Sequence, residues 1–259
     1  LLCLLVGSVV GFLAGLFGIG GGLVIVPTLV YLLPMIGVPE PLLMSAALGT
    51  SFATIVITGF SSAQRHHKLG NIEWNAVKVL APMVMISVFI SGLFIGKLDR
   101  EVSAKIFACL VVYLATKMVI SIKKSTGKTK PLTTQASVIG GILIGMASSA
   151  AGVGGGGFIV PFLNSRGIDM KKAIGSSAFC GALLGLSGMF SFMVSGWGNP
   201  SMPDYSLGYI YLPAVLGITA SSFFTSKLGA TATSKLPVPT LKKGFALLLV
   251  AIAVDMFMK

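Results

Sequence analysis

Between Gly18 and Gly22 the chain sets four glycines in five positions, with apolar runs on both sides. The device recurs at Gly152-Val-Gly-Gly-Gly-Gly157, and each copy leads into Ile-Val-Pro. Aligning 15–27 with 149–161 gives seven identities in thirteen positions: Gly18, Gly20, Gly21, Gly22, Ile25, Val26 and Pro27 match Gly152, Gly154, Gly155, Gly156, Ile159, Val160 and Pro161. Each glycine inside a helix costs about 1 kcal/mol against alanine. Neither run therefore serves a continuous helix, and a break that occurs twice points to a duplicated architecture.

The surroundings decide what kind of architecture. Of 259 residues, 54% are hydrophobic and 10% charged, against about 25% charged in a soluble domain. Such a chain cannot cover a globular surface with polar groups. Apolar runs of roughly 17–25 residues, the length that a membrane-spanning helix needs, recur from end to end. The expected class is an all-α polytopic membrane protein. The net charge of +12 would suggest nucleic acid in a soluble protein. Here it is expected to set topology from the loops, and no nucleic-acid partner is expected. Cys3, Cys109 and Cys180 lie scattered in apolar runs and form neither a metal spacing nor a disulfide framework. Residues 1–17 are taken as part of the fold and not as a cleaved leader.

The apolar stretches run over 1–37 and 136–163, each broken by its glycine knot, and over 42–60, 76–95, 105–122, 173–195, 207–225 and 243–258. Further matches follow the knots: Ala47-Leu-Gly-Thr-Ser51 with Ala173-Ile-Gly-Ser-Ser177, Lys97-Leu98 with Lys235-Leu236, and Phe107-Ala108 with Phe245-Ala246. The expected organisation is a first membrane repeat over 1–122, a basic linker over 123–133 and a second membrane repeat over 134–259.

The basic residues choose between parallel and inverted halves. If each broken stretch crosses once, nine Lys and Arg fall on one side and ten on the other, which is no bias. If each is a hairpin that enters and leaves on the same face, the second half is inverted. Fifteen then fall on the linker side, and only Lys97, Arg100, Lys105 and Lys259 on the other. That asymmetry matches the positive-inside rule. The expectation is two inverted repeats, each a broken Gly-rich hairpin plus three spanning helices, about 8–10 membrane helices in all. The linker is expected in the cytoplasm and both termini outside, in the cell membrane.

Discontinuous helices at equivalent places in inverted halves mark a transporter's central site. Each knot precedes an apolar helix, near Leu23 and near Phe158. The first N–H groups of a helix have no intrahelical acceptor and carry the positive end of its dipole. Glycine lets a ligand approach them closely. The result is an anion site without a charged side chain. Its candidate residues are Gly18, Gly20, Gly21, Gly22, Gly152, Gly154, Gly155 and Gly156. Thr50, Ser51, Ser176 and Ser177 join them, since hydroxyls inside apolar spans bond either a ligand or a neighbouring helix. Ser148 and Ser149 are weaker candidates, because Ala14 and Gly15 stand in their place in the first half. Gly7, Gly11, Gly15, Gly181 and Gly185 fit helix packing instead. His66 and His67, between Arg65 and Lys68, are expected as solvated loop residues. No carboxylate lies in the middle of a span, and no nucleophile–base pair or metal cluster supports an enzyme; no cofactor or metal is expected.

Gly-Ile-Gly-Gly-Gly-x-x-x-Val-Pro early, and Gly-Val-Gly-Gly-Gly-x-x-x-Val-Pro followed by Ala-Ile-Gly-Ser-Ser at mid-chain, resemble the TauE/SafE family of sulfite exporters. Ser206-Leu-Gly-Tyr-Ile-Tyr-Leu-Pro213 and the ending Ser234-Lys-Leu-Pro-Val with Leu241-Lys-Lys-Gly-Phe-Ala resemble it as well. The likeness covers nearly the whole chain. It implies a permease for sulfur oxyanions or organosulfonates such as sulfite, thiosulfate or sulfoacetate. An anion channel and a non-transporting membrane scaffold are the alternatives. The expected partners are a small anion, the bilayer, and a proton or counter-anion for coupling; the sequence also allows a homodimer.

Overall fold

A computed structural model of the chain describes residues 2–18, 20–123 and 131–241, and beyond them 243, 244, 246, 247 and 250. The described residues are almost entirely helical. The first half runs α1 (Leu2–Phe17), α2 (Gly22–Leu32), α3 (Leu43–Lys68), α4 (Trp74–Ile95) and α5 (Arg100–Lys123). The second runs α6 (Thr134–Ala151), α7 (Gly156–Ser165), α8 (Met170–Ser195) and α9 (Leu212–Lys235). A small antiparallel ribbon, β1 (Ser206–Leu207) with β2 (Ile210–Tyr211), precedes α9. Among the described residues, four segments are long and apolar enough to cross a membrane: Glu40–Lys68, Trp74–Ile95, Thr134–Ala151 and Met170–Ser195. The chain is an all-α polytopic membrane protein. Most of the final apolar stretch, with Asp255, lies outside the described residues, as does most of the linker.

In lipid there is no hydrophobic drive between helices, so small residues and hydroxyls hold them together. The pairing is reciprocal. α1 lies parallel to α9, with Gly7 against Ile218, Gly11 against Ser222 and Gly15 against Ser226. α6 lies parallel to α4 in the same way, with Gly141 against Leu80 and Met83, and Gly145 against Ser87. α3 and α8 form the central pair. A Cβ on Gly59 would lie 3.0 Å from Ala182 Cα, one on Gly185 3.2 Å from Val56 N, and one on Gly188 2.7 Å from the Phe52 ring. Rising numbers thus meet falling ones, and α3 and α8 are antiparallel. These are the two helices that carry the matching Gly-Thr-Ser and Gly-Ser-Ser motifs. Where both cross the bilayer, their antiparallel pairing is the geometry of inverted repeats. Ser187, Ser191 and Ser195, one turn apart, donate to the carbonyls of Met85, Phe89 and Leu93 at 2.6, 2.8 and 3.4 Å and lock α8 along α4.

Two elements differ from the sequence expectation. α3 extends to Lys68, not to about residue 60, because its polar last turns are buried against α9. Ser61 Oγ donates to the Phe223 carbonyl at 2.6 Å, and Ser226 Oγ to Ser61 Oγ at 2.9 Å. α9 reaches Lys235 because its own polar last turns are buried against α1, where Thr233 Oγ1 donates to the Leu16 carbonyl at 2.7 Å. Lys78, Lys105, Lys117 and Lys227 stand on helices and not in loops.

Candidate functional site: the paired glycine knots

α1 ends at Phe17 and α6 at Ala151, and in each half the chain turns back through its glycines. Gly21 (φ 87°) and Gly155 (φ 80°) hold the same left-handed N-cap position, which side chains with a Cβ adopt only at a cost. Their carbonyls accept the N–H groups of Val24 and Ile25, and of Phe158 and Ile159. No side chain caps either helix. The N–H groups of Gly22 and Leu23, and of Gly156 and Gly157, therefore belong to the set without an intrahelical acceptor. α2 and α7 have 11 and 10 residues, about 15–17 Å at 1.5 Å per residue. That is half the roughly 30 Å of bilayer hydrocarbon.

The two knots meet. A Cβ on Gly20 would lie 3.2 Å from Gly154 Cα; one on Gly22 would strike the Gly152 carbonyl and lie 2.9 Å from Val153 Cα. The third helix of each half then reaches across to the other half's knot. Ser51 Oγ donates to the Gly152 carbonyl at 2.9 Å, and Ser177 Oγ to the Gly18 carbonyl at 3.1 Å. Thr50 and Ser176 hold a different place. Each accepts the N–H of the N-cap residue of the other half's fourth helix: Tyr211 to Thr50 Oγ1 at 3.0 Å and Glu73 to Ser176 Oγ at 2.8 Å. Gly49 packs on the Tyr209 carbonyl just as Gly175 packs on that of Asn71. Two connecting segments, 69–73 and 196–211, thus strap opposite ends of the molecule.

All twelve candidate residues are buried. The bonds above show Ser51, Ser177, Thr50 and Ser176 bound to backbone. Ser148 differs: it is fully buried and its hydroxyl has no partner among the described residues, whereas Ser149 bonds Met146 and Ser91. A cavity of about 400 Å³ opens one turn beyond the first knot, lined by Val26, Pro27, Val30, Met44 and Phe107. It shares α2 with the knot but none of its glycines.

One expectation is corrected. His66 is not a solvated loop residue but lies fully buried on the last turn of α3. Its Nε2 donates to the Gly15 carbonyl at 3.1 Å, and its Nδ1 accepts from Asn71 Nδ2 at 3.4 Å. Asn71 in turn donates to Ser234 Oγ at 2.8 Å. These partners select the neutral tautomer with its proton on Nε2. The sequence reasoning also missed Thr58, whose hydroxyl donates to the Gly20 carbonyl at 3.0 Å. The signal was present: Ser51, Thr54, Thr58 and Ser62 recur at helical spacing inside an apolar run.

Charge is divided between the ends. At one end Lys172 pairs with Glu73 at 2.9 Å, Lys171 Nζ donates to the Ser234 carbonyl at 2.7 Å and Arg65 Nε to Thr231 Oγ1 at 2.9 Å. At the other, Arg100 pairs with Glu40, and Lys105 with Glu101 at 2.6 Å.

A multi-pass helical protein whose two discontinuous helices meet inside the bundle has the architecture of a membrane transporter. Comparison with known proteins gives the family. Residues 3–256 match the family model described as Sulfite exporter TauE/SafE, and the chain belongs to that family. It is 80% identical over 259 residues to a probable membrane transporter protein of Haemophilus influenzae, covering 100% of this chain and 98% of that one. It is 29% identical over 238 residues to another of that description from Methanocaldococcus jannaschii, with 91% and 86% covered. A third, from Bacillus subtilis, is 27% identical over 255 residues, with 91% and 89% covered. No solved structure matches the chain.

Proposed function

We propose that this membrane transporter is a secondary permease for small sulfur-containing anions, such as sulfite, thiosulfate or organosulfonates. The anion binds between the two knots, and alternating access exposes it to one face at a time. The observation that carries this is the contact of the knots, which brings two uncapped helix N-termini together. Their N–H groups and dipoles favour an anion without a fixed counter-charge. The unpartnered Ser148 hydroxyl stands one turn before the second knot and supplies a further donor. Enclosure of every knot glycine supports a gated carrier over an open channel. The family description supports sulfur oxyanions as the cargo. The excess of Lys and Arg at the end with Arg65 and Lys172 supports a cytoplasmic position for that end and for the linker.

Purified protein in liposomes tests the proposal. Saturable uptake of labelled sulfoacetate or thiosulfate, accelerated by the same anion inside, is the expected result. Flux without saturation or counter-transport would make the protein a channel, and no flux for any sulfur anion would reject transport of this class. A thermal-shift series with sulfite, thiosulfate, sulfoacetate, taurine and lactate ranks the ligands, since binding to the folded state raises apparent stability.

A further inference from the structure

Thr58, Ser62 and His66 stand four residues apart on α3 and so share one face of it. Thr58 donates to the Gly20 carbonyl in the first knot, and His66 to the Gly15 carbonyl in the last turn of α1. That face therefore runs along the end of α1, from the knot to the basic end of the molecule. Ser62 lies between them, 1% exposed, and its hydroxyl has no partner among the described residues. A buried hydroxyl left unpaired is costly, and its neighbours on the stripe are both paired. The Ser62 hydroxyl is therefore left with the capacity to bond a ligand or a water.

The inverted half supplies a comparison within the same molecule. Through the match of Ser51 with Ser177, the positions equivalent to Thr58, Ser62 and His66 are Leu184, Gly188 and Phe192. Phe192 is fully buried and lies 5.6 Å from the ring of Phe52, and Gly188 is filled by that same Phe52 ring. The pseudo-symmetry of the backbone is thus broken by side chains. The face of α3 that runs from the knots toward the basic end is polar, and its counterpart on α8 toward the other end is apolar and packed with aromatic rings.

We propose that Thr58, Ser62 and His66 line the passage by which the anion and its water move between the knots and the basic end, with Ser62 a positioning donor for the anion in transit. This rests on the proposal that the knots hold a transported anion. It adds an asymmetry: the basic-end passage is hydrated, and the opposite one opens only when Phe52 and Phe192 separate.

The test is thiol accessibility in a background with Cys3, Cys109 and Cys180 changed to serine. Ser62→Cys and, as a second variant, Thr58→Cys are treated with a membrane-impermeant sulfonated maleimide in sealed vesicles of either orientation. Leu184→Cys is the counterpart, and Lys68→Cys reports the basic end. The expected result is labelling of Ser62→Cys or Thr58→Cys at least tenfold faster from the basic end than from the other. Saturating sulfoacetate, which does not consume the reagent, slows it severalfold, while Leu184→Cys stays unlabelled. No labelling of either variant from the basic end while Lys68→Cys reacts there overturns the passage, and so does equal labelling from both ends. Labelling needs no flux, so wild-type vesicles that move no sulfur anion would reject the proposed cargo and leave the passage to be judged on accessibility alone.

Discussion

Ser51 and Ser177 make the same bond in opposite directions: each donates its hydroxyl to a knot carbonyl of the other half, Ser51 to Gly152 at 2.9 Å and Ser177 to Gly18 at 3.1 Å. Because the donors sit on the antiparallel central helices, the two bonds tie both knots to the central pair of α3 and α8. Each hydroxyl is fully buried, and removing one withdraws a donor from a buried carbonyl. Ser51→Ala and Ser177→Ala should each cost about 1–3 kcal/mol and should do so by similar amounts. Thermal unfolding in detergent measures this. A large loss for one and none for the other would show that the reciprocity is not energetic.

Gly21 and Gly155 are the positions where the backbone itself resists substitution. Both hold left-handed φ, worth roughly 1–2 kcal/mol against a residue with a Cβ. A methyl on Gly21 would run into Val10, and one on Gly155 would lie 2.6 Å from Ile159 Cδ1. More important for function, each residue aims the first turn of α2 or α7 at the other knot. Gly21→Ala and Gly155→Ala are expected to abolish uptake in proteoliposomes while leaving protein that still elutes as a folded peak. Normal uptake by either variant would remove its knot from the anion site.

How much of this was legible in the sequence follows from the physics of each signal. The knots were, because glycine is so poor in a helix that a duplicated run has few other uses. Pairing Ser51 with Ser177 was, since it needs only the local motif. Which carbonyls they bond was not, because that depends on a contact between residues about a hundred positions apart. His66 was misread for a related reason: beside Arg65 and Lys68, it carries every local mark of a solvated turn. Its burial comes from α1 and α9, whose Gly15 and Ser234 end beside it. The end of α3 was placed too early because hydropathy cannot tell a serine that faces water from Ser61, which faces a helix carbonyl. The straps over Gly49 and Gly175 were hidden by unequal loop length, although Leu69-Gly-Asn-Ile-Glu73 and Leu207-Gly-Tyr-Ile-Tyr211 share Leu, Gly and Ile and both end in a residue whose N–H is accepted by the other half.

The topology can be checked without knowing the cargo. Lys68 ends α3 and is exposed; Ser201 lies in the 196–211 strap at the opposite end and is also exposed. With α3 and α8 antiparallel, single cysteines at Lys68 and Ser201 should react with an impermeant thiol reagent from opposite faces. Under the proposed orientation by basic residues, Lys68→Cys should react from the cytoplasmic face. Labelling of both from one face would reject inverted halves, and a reversed pair would keep the inversion but turn the protein over in the membrane.

Coupling is the remaining question, and the carboxylates narrow it. The chain has seven Asp and Glu. Six are described: Glu40, Glu73, Asp99, Glu101, Asp169 and Asp204, all at helix ends or in connections and none beside a knot. Proton relays inside membranes are usually built from buried acidic groups, and of these six only Glu73 is as little as 28% exposed, in its ion pair with Lys172. The proposed site, made of helix N-termini and hydroxyls, would instead favour an anion that brings its own proton or exchanges for another anion. Glu40→Gln, Asp99→Asn and Asp204→Asn should therefore each keep transport and its pH dependence within about twofold. Asp255, which lies outside the described residues, is the decisive case. If Asp255→Asn alone removes pH-dependent uptake in proteoliposomes, a carboxylate relay exists at the end of the last apolar run. If it does not, the proton travels on the anion or does not travel at all, and uptake driven by an imposed counter-anion gradient at constant pH tells those two apart.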